Sequence, residues 1–137
     1  MTIKYKEDNG DFYVYLEEYP EDCYCMWRKN DQQDKVYSIE RLDVLRQLRG
    51  NNIGRNLLNA AIARIKLECS QACIEISAQP DQDNEITEDV LVKFYQSLGF
   101  EIYQDFYSNR TDLRLYLDAS TKPDPLFDSP HYFKWTI

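Results

Sequence analysis

The sequence predicts one mixed α/β domain, and three observations support this fold class. Apolar and polar residues alternate with a period of two over the first forty residues, as in strands with one buried face. After Gly50 the apolar residues recur at helical spacing, and a short apolar strand and a second helix follow. This central order of strand, helix, strand, helix and strand predicts parallel pairing through a helical crossover, with antiparallel strands on either side.

The N-terminal forty residues predict an antiparallel meander of four strands. These strands are expected at 3–6, 11–19, 22–29 and 36–42, and polar turns separate them. In the second strand Val14 and Leu16 share one face with Phe12, and the tyrosines between them share the other.

Two helices are expected in the second half of the chain. The first carries a stripe of apolar residues at helical spacing, namely Ile53, Leu57, Leu58, Ala61, Ile62, Ile65 and Cys69. The second begins after the N-cap Thr87, ends at Gly99 and buries Leu91, Phe94, Tyr95 and Leu98. A strand at 72–78 lies between the helices, and strands at 100–107 and 113–118 follow. In the tail from 119 to 137, residues 122–130 hold three prolines and form a connector, and residues 131–137 alternate again and could add a last strand.

Composition and charge limit the functions open to this chain. With 137 residues, 43% of them hydrophobic, the chain fits a single globular domain over residues 1–137. The net charge of −8 disfavours direct nucleic-acid binding, because an acidic surface repels phosphate backbones. The charged N-terminus lacks the apolar core of a signal peptide, and no apolar run is long enough to span a bilayer. We therefore expect a cytoplasmic protein that binds no membrane.

The cysteines and the single histidine argue against metal and triad chemistry. Cys23 and Cys25 alternate along an expected strand. Cys69 and Cys73 straddle a helix end and a strand start. We expect all four to be small buried hydrophobes, and we expect no metal site. Because His131 is the only histidine, a Ser-His-Asp triad is nearly excluded.

An arginine-rich turn precedes the first helix. Between positions 41 and 55, four arginines stand against a single acid, Asp43. The unpaired N–H groups and the dipole at a helix N-terminus favour an anion such as phosphate. Gly50 and Gly54 also let another backbone or a ligand approach closely. The turn therefore predicts a phosphate site, and a solvated, arginine-rich helix start is the alternative.

The same residues resemble motif A of the GNAT superfamily of acyl-CoA-dependent N-acetyltransferases. That motif is a strand ending in L-x-V, followed by a turn that reads Q/R-x-x-G-x-G/A. Leu42-Asp43-Val44 matches the strand end, and Arg49-Gly50-Asn51-Asn52-Ile53-Gly54 matches the turn at the usual separation. Asn52 stands where the family usually has glycine, and asparagine is the residue after glycine that best tolerates a left-handed backbone.

A second run, Phe94-Tyr-Gln-Ser-Leu-Gly-Phe100, is similar to the family's motif B, a helix that ends in Y-x-x-x-G-F. Earlier on this helix, Glu88 and Leu91 replace the family's usual asparagine and small residue. The resemblance covers a cofactor core from 36 to about 107 and implies the family's three-layer α/β/α fold. The two helices that usually follow the first strand are missing, so the acceptor would be large or reached over an open surface.

The resemblance implies acetyl-CoA as the cofactor. The Val44 N–H would face the thioester, and the pantetheine would lie in the splay between the 36–42 and 72–78 strands. The pyrophosphate would sit on the N–H groups of the turn. The implied cofactor-binding residues are Leu42, Val44, Arg49, Gly50, Asn51, Asn52, Ile53, Gly54 and Arg55.

The resemblance also implies two catalytic residues. Tyr95 would be the general acid for the coenzyme A thiolate, and a core aromatic is the alternative. Glu40 would be the general base, because family members often carry a base at positions matching Ser38 and Glu40. An exposed strand glutamate is the alternative to that role. Glu75 on the facing strand is a weaker candidate, and deprotonation through water also fits.

The implied reaction is acetyl transfer to a primary amine by direct attack. The acceptor stays open between a protein lysine, an N-terminus, a polyamine and an aminoglycoside, and a homodimer stays open as well. Acids outnumber bases nine to five in residues 1–35, which favours a cationic acceptor. The alternative function is a noncatalytic binding module that docks a partner through its aromatic tail.

Overall fold

Seven strands and two α-helices form within residues 1–80, 86–103 and 110–123, the parts of the chain that this computed structural model describes. The strands are β1 (Ile3–Asp8), β2 (Asp11–Leu16), β3 (Tyr19–Lys29), β4 (Val36–Asp43), β5 (Cys73–Ala78), β6 (Glu101–Tyr103) and β7 (Thr111–Tyr116). The helices are α1 (Ile53–Glu68) and α2 (Glu88–Ser97), and short 3₁₀ turns cover Arg46–Leu48 and Ala119–Thr121. These elements follow the predicted order.

The seven strands join in one mixed sheet in the order β1-β2-β3-β4-β5-β7-β6. β4 and β5 pair in parallel through the crossover helix α1, and the other neighbouring pairs are antiparallel. This confirms the predicted fold class, in which an antiparallel meander leads into a central parallel pair. The insertion of β7 between β5 and β6 was not predicted, because the order of strands along the chain does not reveal it.

The core lies on one face of the sheet, as the period of two predicts. The pairs Val14–Cys25 and Ile39–Ile76 carry buried side chains across neighbouring strands. Cross-strand partners share a face, so these pairs define one continuous apolar surface. The tyrosines of β2 alternate with its buried residues and are half-buried on the other face.

Both helices pack on the apolar face of the sheet. α1 packs against β2, β3 and β4, whereas α2 packs against β5, β6 and β7. The two helices also touch, because the guanidinium of Arg55 in α1 lies 5.4 Å from the ring centroid of Phe94 in α2. The connection β4-α1-β5 and the connection β5-α2-β6 both lead towards the β6 edge of the sheet. Right-handed connections that run in the same direction place their helices on the same side of the sheet. Within the described residues, both helices therefore lie on the same face of the sheet.

The apolar stripe of α1 is buried at Ile53, Leu57, Leu58, Ala61 and Ile65. Burial of the cysteines is confirmed for Cys23 and Cys25, whereas Cys69 and Cys73 are half-buried near the start of β5. Among the described residues, no group of His, Cys, Asp and Glu side chains is arranged to hold a metal ion.

Local signals set both ends of α2, as predicted. The Thr87 Oγ1 accepts a hydrogen bond from the Val90 N–H at 3.3 Å, and Gly99 ends the helix with a φ of +98°. The buried face is narrower than predicted. Tyr95 is buried, but the other three apolar residues expected on that face are half-buried.

Some predicted features fall outside the described residues. β6 ends at Tyr103, so the rest of the strand predicted at 100–107 is not described. The structure also does not describe residues 81–85 or residues 124–137. The latter include His131, the aromatic tail and the last strand expected there. None of the described helices is long and apolar enough to cross a membrane.

Candidate cofactor and active site

The turn between β4 and α1 has the backbone geometry of an anion site. Gly50 has a φ of +90°, and Asn52 adopts the left-handed conformation with φ 60° and ψ 17°. Asn52 therefore takes the backbone conformation that we expected it to tolerate. The first intrahelical hydrogen bond runs from the Asn56 N–H to the Asn52 carbonyl at 3.0 Å. The N–H groups of residues 53–55 consequently have no acceptor within the helix, and the first turn carries no acidic residue.

A cavity of about 360 Å³ adjoins this turn. Eight of the nine predicted cofactor-binding residues line it, namely Leu42, Val44, Arg49, Gly50, Asn52, Ile53, Gly54 and Arg55. The exception is Asn51, whose side-chain amide donates to the Leu48 carbonyl at 3.1 Å. The opposite wall comes from α2 and includes Leu91 and Phe94. Sequence reasoning assigned α2 only its catalytic tyrosine and missed this wall.

Gly54 forms part of the cavity surface where α1 approaches β4 and α2. A Cβ atom at this position would lie 3.6 Å from Val44 Cγ2 and 3.9 Å from Phe94 Cζ, which are ordinary van der Waals distances. The protein alone would therefore accept a small side chain at Gly54. A requirement for glycine here would arise from a ligand that approaches the helix backbone.

β4 and β5 separate at their carboxyl ends. Their parallel register runs from Val36 to Ile39, and residues 40–43 of β4 have no partner in β5. On the other side of β4, Met26 pairs with Arg41 but Trp27 pairs with Ile39, so Glu40 is an extra residue. A bulge of this kind bends its strand, and it coincides here with the opening between the two strands.

A second cavity, of about 850 Å³, lies at this opening. It shares five lining residues with the first cavity, namely Leu42, Val44, Gln79, Pro80 and Tyr95. Glu40 also lines it, so the structure brings the two predicted catalytic residues to one cavity. Its remaining charged residues include Glu21 and Asp22 of β3 and Arg110 next to β7. Sequence reasoning missed these three, because no local motif connects them to β4.

Tyr95 is 5% exposed and lines both cavities. Its ring centroid lies 5.5 Å from that of Phe94 and 6.1 Å from that of Phe100. The ring therefore belongs to the core while part of the residue borders the cavities. This placement is compatible both with a packing role and with a role in proton transfer.

The carboxylates near the opening differ in their surroundings. Glu40 is exposed at the bulge. Asp43 accepts a hydrogen bond from the Arg41 Nε at 3.0 Å. The pKa of the nearby Tyr24 hydroxyl is raised, because the hydroxyl is partly buried and because the negative charge of Asp43 opposes its ionisation. Glu75 forms an ion pair with Arg114 at 3.5 Å and lines neither of the two cavities. Of the two candidate bases, Glu40 thus borders the opening and Glu75 does not.

The arginines of the predicted patch are divided between the two cavities. Arg49 and Arg55 line the first cavity, whereas Arg41 and Arg46 line the second. The Arg49 Nε donates to the Val44 carbonyl at 3.3 Å, which holds its side chain against the end of β4. The guanidinium of Arg55 is turned towards α2, where its Nη2 donates to the Ser97 Oγ at 3.0 Å.

A helix start with unpaired N–H groups thus lies beside a partly apolar cavity, an arrangement that suits a long ligand with an anionic part. A family model described as an acetyltransferase (GNAT) domain matches residues 8–102, which is more than half of the chain. The chain belongs to the GNAT acetyltransferase family, and it is an acyl-CoA-dependent N-acetyltransferase by that membership. No curated protein sequence matches it.

Several solved structures are similar to this chain. A protein from Desulfovibrio desulfuricans assigned to the GNAT family has 16% identity and a TM-score of 0.63, over 80% of this chain and 70% of that one. The anti-CRISPR protein AcrVA5 has 23% identity and a TM-score of 0.58, over 77% and 98%. An aminoglycoside 6'-N-acetyltransferase complexed with coenzyme A has 14% identity and a TM-score of 0.63, over 85% and 77%. These likenesses show a shared fold.

Proposed function

We propose that this protein transfers an acetyl group from acetyl-CoA to a primary amine by direct attack. The observation that carries the proposal is the meeting of two cavities at the opening between β4 and β5, with Tyr95 lining both. One cavity adjoins the anion-binding turn and suits the cofactor. The other reaches several carboxylates and suits a basic acceptor.

The first cavity fits the chemistry of acetyl-CoA. The N–H groups of Ile53, Gly54 and Arg55 suit the pyrophosphate, because a helix start leaves them without acceptors. The apolar side chains of Leu42 and Val44 continue from the turn into the opening and suit the pantetheine arm. Acetyl-CoA, when bound, supplies an activated thioester whose acetyl carbon accepts the amine.

Three groups of the chain act on the reaction in this proposal. Glu40 accepts, directly or through water, the proton that the ammonium form must lose before it can attack. The Val44 N–H donates a hydrogen bond to the thioester oxygen as charge develops there. Tyr95 donates its proton to the departing thiolate. A C–N bond forms and a C–S bond breaks. The first proton of the ammonium passes to solvent through Glu40, and the second, which the nitrogen loses after attack, restores the proton that Tyr95 gives to the thiolate, so that one proton is released overall.

The second cavity favours a cationic acceptor. Glu21, Asp22, Glu40 and Asp43 line it, and Arg41, one of its three arginines, is paired with Asp43. Carboxylates at the mouth of a cleft attract protonated amines and raise their local concentration. A protein lysine, an N-terminus, a polyamine or an aminoglycoside could serve as the acceptor. Turnover measured on each of these amine classes distinguishes them.

Titration calorimetry with coenzyme A and acetyl-CoA, followed by turnover on a panel of amines, tests the proposal. We expect saturable binding and amine-dependent release of coenzyme A, and mass spectrometry then locates the acetylated nitrogen. Absence of binding would overturn the enzymatic proposal. Binding without turnover on any small amine, peptide or protein would instead favour a noncatalytic module.

A further inference from the structure

Helix α2 carries Tyr95 on its buried face. Tyr95 is the one buried side chain among its ten residues, all of which are described, and Leu91, Val92 and Phe94 are half-buried against the core. Apolar packing of this kind holds the helix on the sheet but is not directional. Polar contacts at its two ends add a direction, because a hydrogen bond has a preferred geometry, and they therefore matter for where Tyr95 lies.

At the carboxyl end of α2, Arg55 of α1 makes two contacts. Its Nη2 donates to the Ser97 Oγ at 3.0 Å, and its guanidinium carbon lies 5.4 Å from the ring centroid of Phe94. The Ser97 hydroxyl in turn donates to the Phe94 carbonyl at 2.6 Å, which fixes the lone pairs that face Arg55. Phe94 directly precedes Tyr95 in the sequence, and Ser97 follows it by two residues. The contact thus fixes the backbone segment that presents Tyr95.

The amino end of α2 is held separately. One carboxylate oxygen of Glu88 accepts hydrogen bonds from the Thr111 N–H at 3.0 Å and from the Thr111 Oγ1 at 2.7 Å. This contact fastens α2 to the start of β7. The Arg55 contact, by comparison, fastens α2 to α1, and α1 begins directly after the turn that follows β4.

We propose that Arg55 is a positioning residue. Through its contact with Ser97, it fixes the position of Tyr95 relative to the turn between β4 and α1. This inference rests on the proposed function, because it assigns the contact a purpose in proton donation by Tyr95. It also changes the role that the resemblance implied for Arg55, which was to bind the cofactor. The guanidinium would have to leave Ser97 and Phe94 in order to turn towards a phosphate.

Substitutions at Ser97 give the sharpest test, because Ser97 lines neither cavity. Ser97→Val removes the hydroxyl, and Ser97→Thr of nearly the same shape retains it. A shift of about 1 Å in a reacting group can cost up to about 100-fold in rate, so we expect kcat of Ser97→Val to fall about tenfold. The Kd for coenzyme A should stay within about twofold, because the N–H groups of the turn are untouched. Ser97→Thr should retain the wild-type kcat.

Arg55 variants separate the two roles. We expect Arg55→Met to lower kcat by the same factor as Ser97→Val, and the double variant to show no further loss. Arg55→Lys keeps the charge but loses the planar fork, so it should behave like Arg55→Met. Weaker binding of coenzyme A by Arg55→Met, with kcat retained and with Arg55→Lys normal, would instead place Arg55 at the phosphate and overturn the inference.

Folding and the proposed function are checked on the same proteins. Thermal unfolding and circular dichroism show whether each variant is folded, and Ser97→Ala replaces Ser97→Val if valine disturbs the helix end. A wild-type kcat in a folded Ser97→Val or Ser97→Ala variant overturns the inference alone. A wild-type protein that binds coenzyme A but acetylates no amine overturns the proposed function and this inference together.

Discussion

The two cavities that meet at the opening of β4 and β5 are built in different ways. The first takes most of its lining from one continuous stretch, residues 42–55, which includes the turn and the start of α1. The second also uses a continuous stretch, residues 39–46, but adds side chains from β3, β5, the two residues after β5, α2 and the residue that precedes β7. A cofactor site can thus be carried by a local sequence motif. An acceptor site of this kind depends on the tertiary fold, and its specificity can change through residues that are distant in sequence.

The largest effect is expected where the two cavities join, at Tyr95. Tyr95→Phe keeps the ring and its contacts with Phe94 and Phe100 but removes the proton donor. General-acid catalysis is typically worth about 10²–10⁴-fold, so we expect kcat to fall by that order while coenzyme A affinity holds. Steady-state kinetics and calorimetry measure the two quantities. Tyr37→Phe is a matched control, because Tyr37 is buried and lines neither cavity. A kcat of Tyr95→Phe within about threefold of wild type would leave Tyr95 as a packing residue.

The next effect concerns the first cavity alone. Gly54→Asp places a side chain and a negative charge where the pyrophosphate is proposed to bind, so we expect coenzyme A to bind more than about tenfold more weakly. Gly54→Ala separates the steric part from the charge, since its Cβ would make ordinary contacts within the protein. We expect the alanine variant to unfold at the wild-type temperature and to lose less affinity. Unchanged affinity of Gly54→Asp in calorimetry would remove the turn as the pyrophosphate site.

Glu40→Gln tests the second cavity without altering the first. We expect kcat/KM for the amine to fall about tenfold near neutral pH, because the variant cannot accept the proton, while coenzyme A affinity is retained. The deficit should shrink as the pH rises, since more of the amine is then neutral before it binds. Glu21→Gln removes the same charge from the same cavity and serves as the control. Equal losses in the two variants at every pH would show that Glu40 contributes charge rather than proton transfer.

The smallest effect is expected at Asn52. Its φ of 60° is a conformation that glycine adopts freely, so Asn52→Gly should bind coenzyme A as tightly as wild type or slightly more tightly. Asn52→Ala should be less stable by about 1–2 kcal/mol, because a Cβ without a compensating polar group is disfavoured in that region. Thermal unfolding and calorimetry on the pair measure both effects. A large loss of affinity in Asn52→Gly would mean that the asparagine side chain itself contacts the ligand.

The sequence predicted those features that depend on neighbouring residues. The left-handed Asn52, the cap at Thr87 and the end of α2 at Gly99 are each set by a few adjacent positions. Features made by distant residues gave no such signal. Nothing in the sequence links Arg55 to Ser97, and no pattern indicates that Arg110 borders the same cavity as Glu21. The position of β7 between β5 and β6 belongs to the same group, because it is decided by pairing across the sheet.

The strand order β1-β2-β3-β4-β5-β7-β6 also determines which strands expose unpaired backbone N–H and C=O groups at the edges of the sheet. Among the residues that the structure describes, β1 lies at one edge and β6 at the other. β1 carries Lys4 and Lys6, and charged side chains on an edge strand discourage another strand from pairing with it. Growth of the sheet from molecule to molecule is therefore disfavoured at the β1 edge.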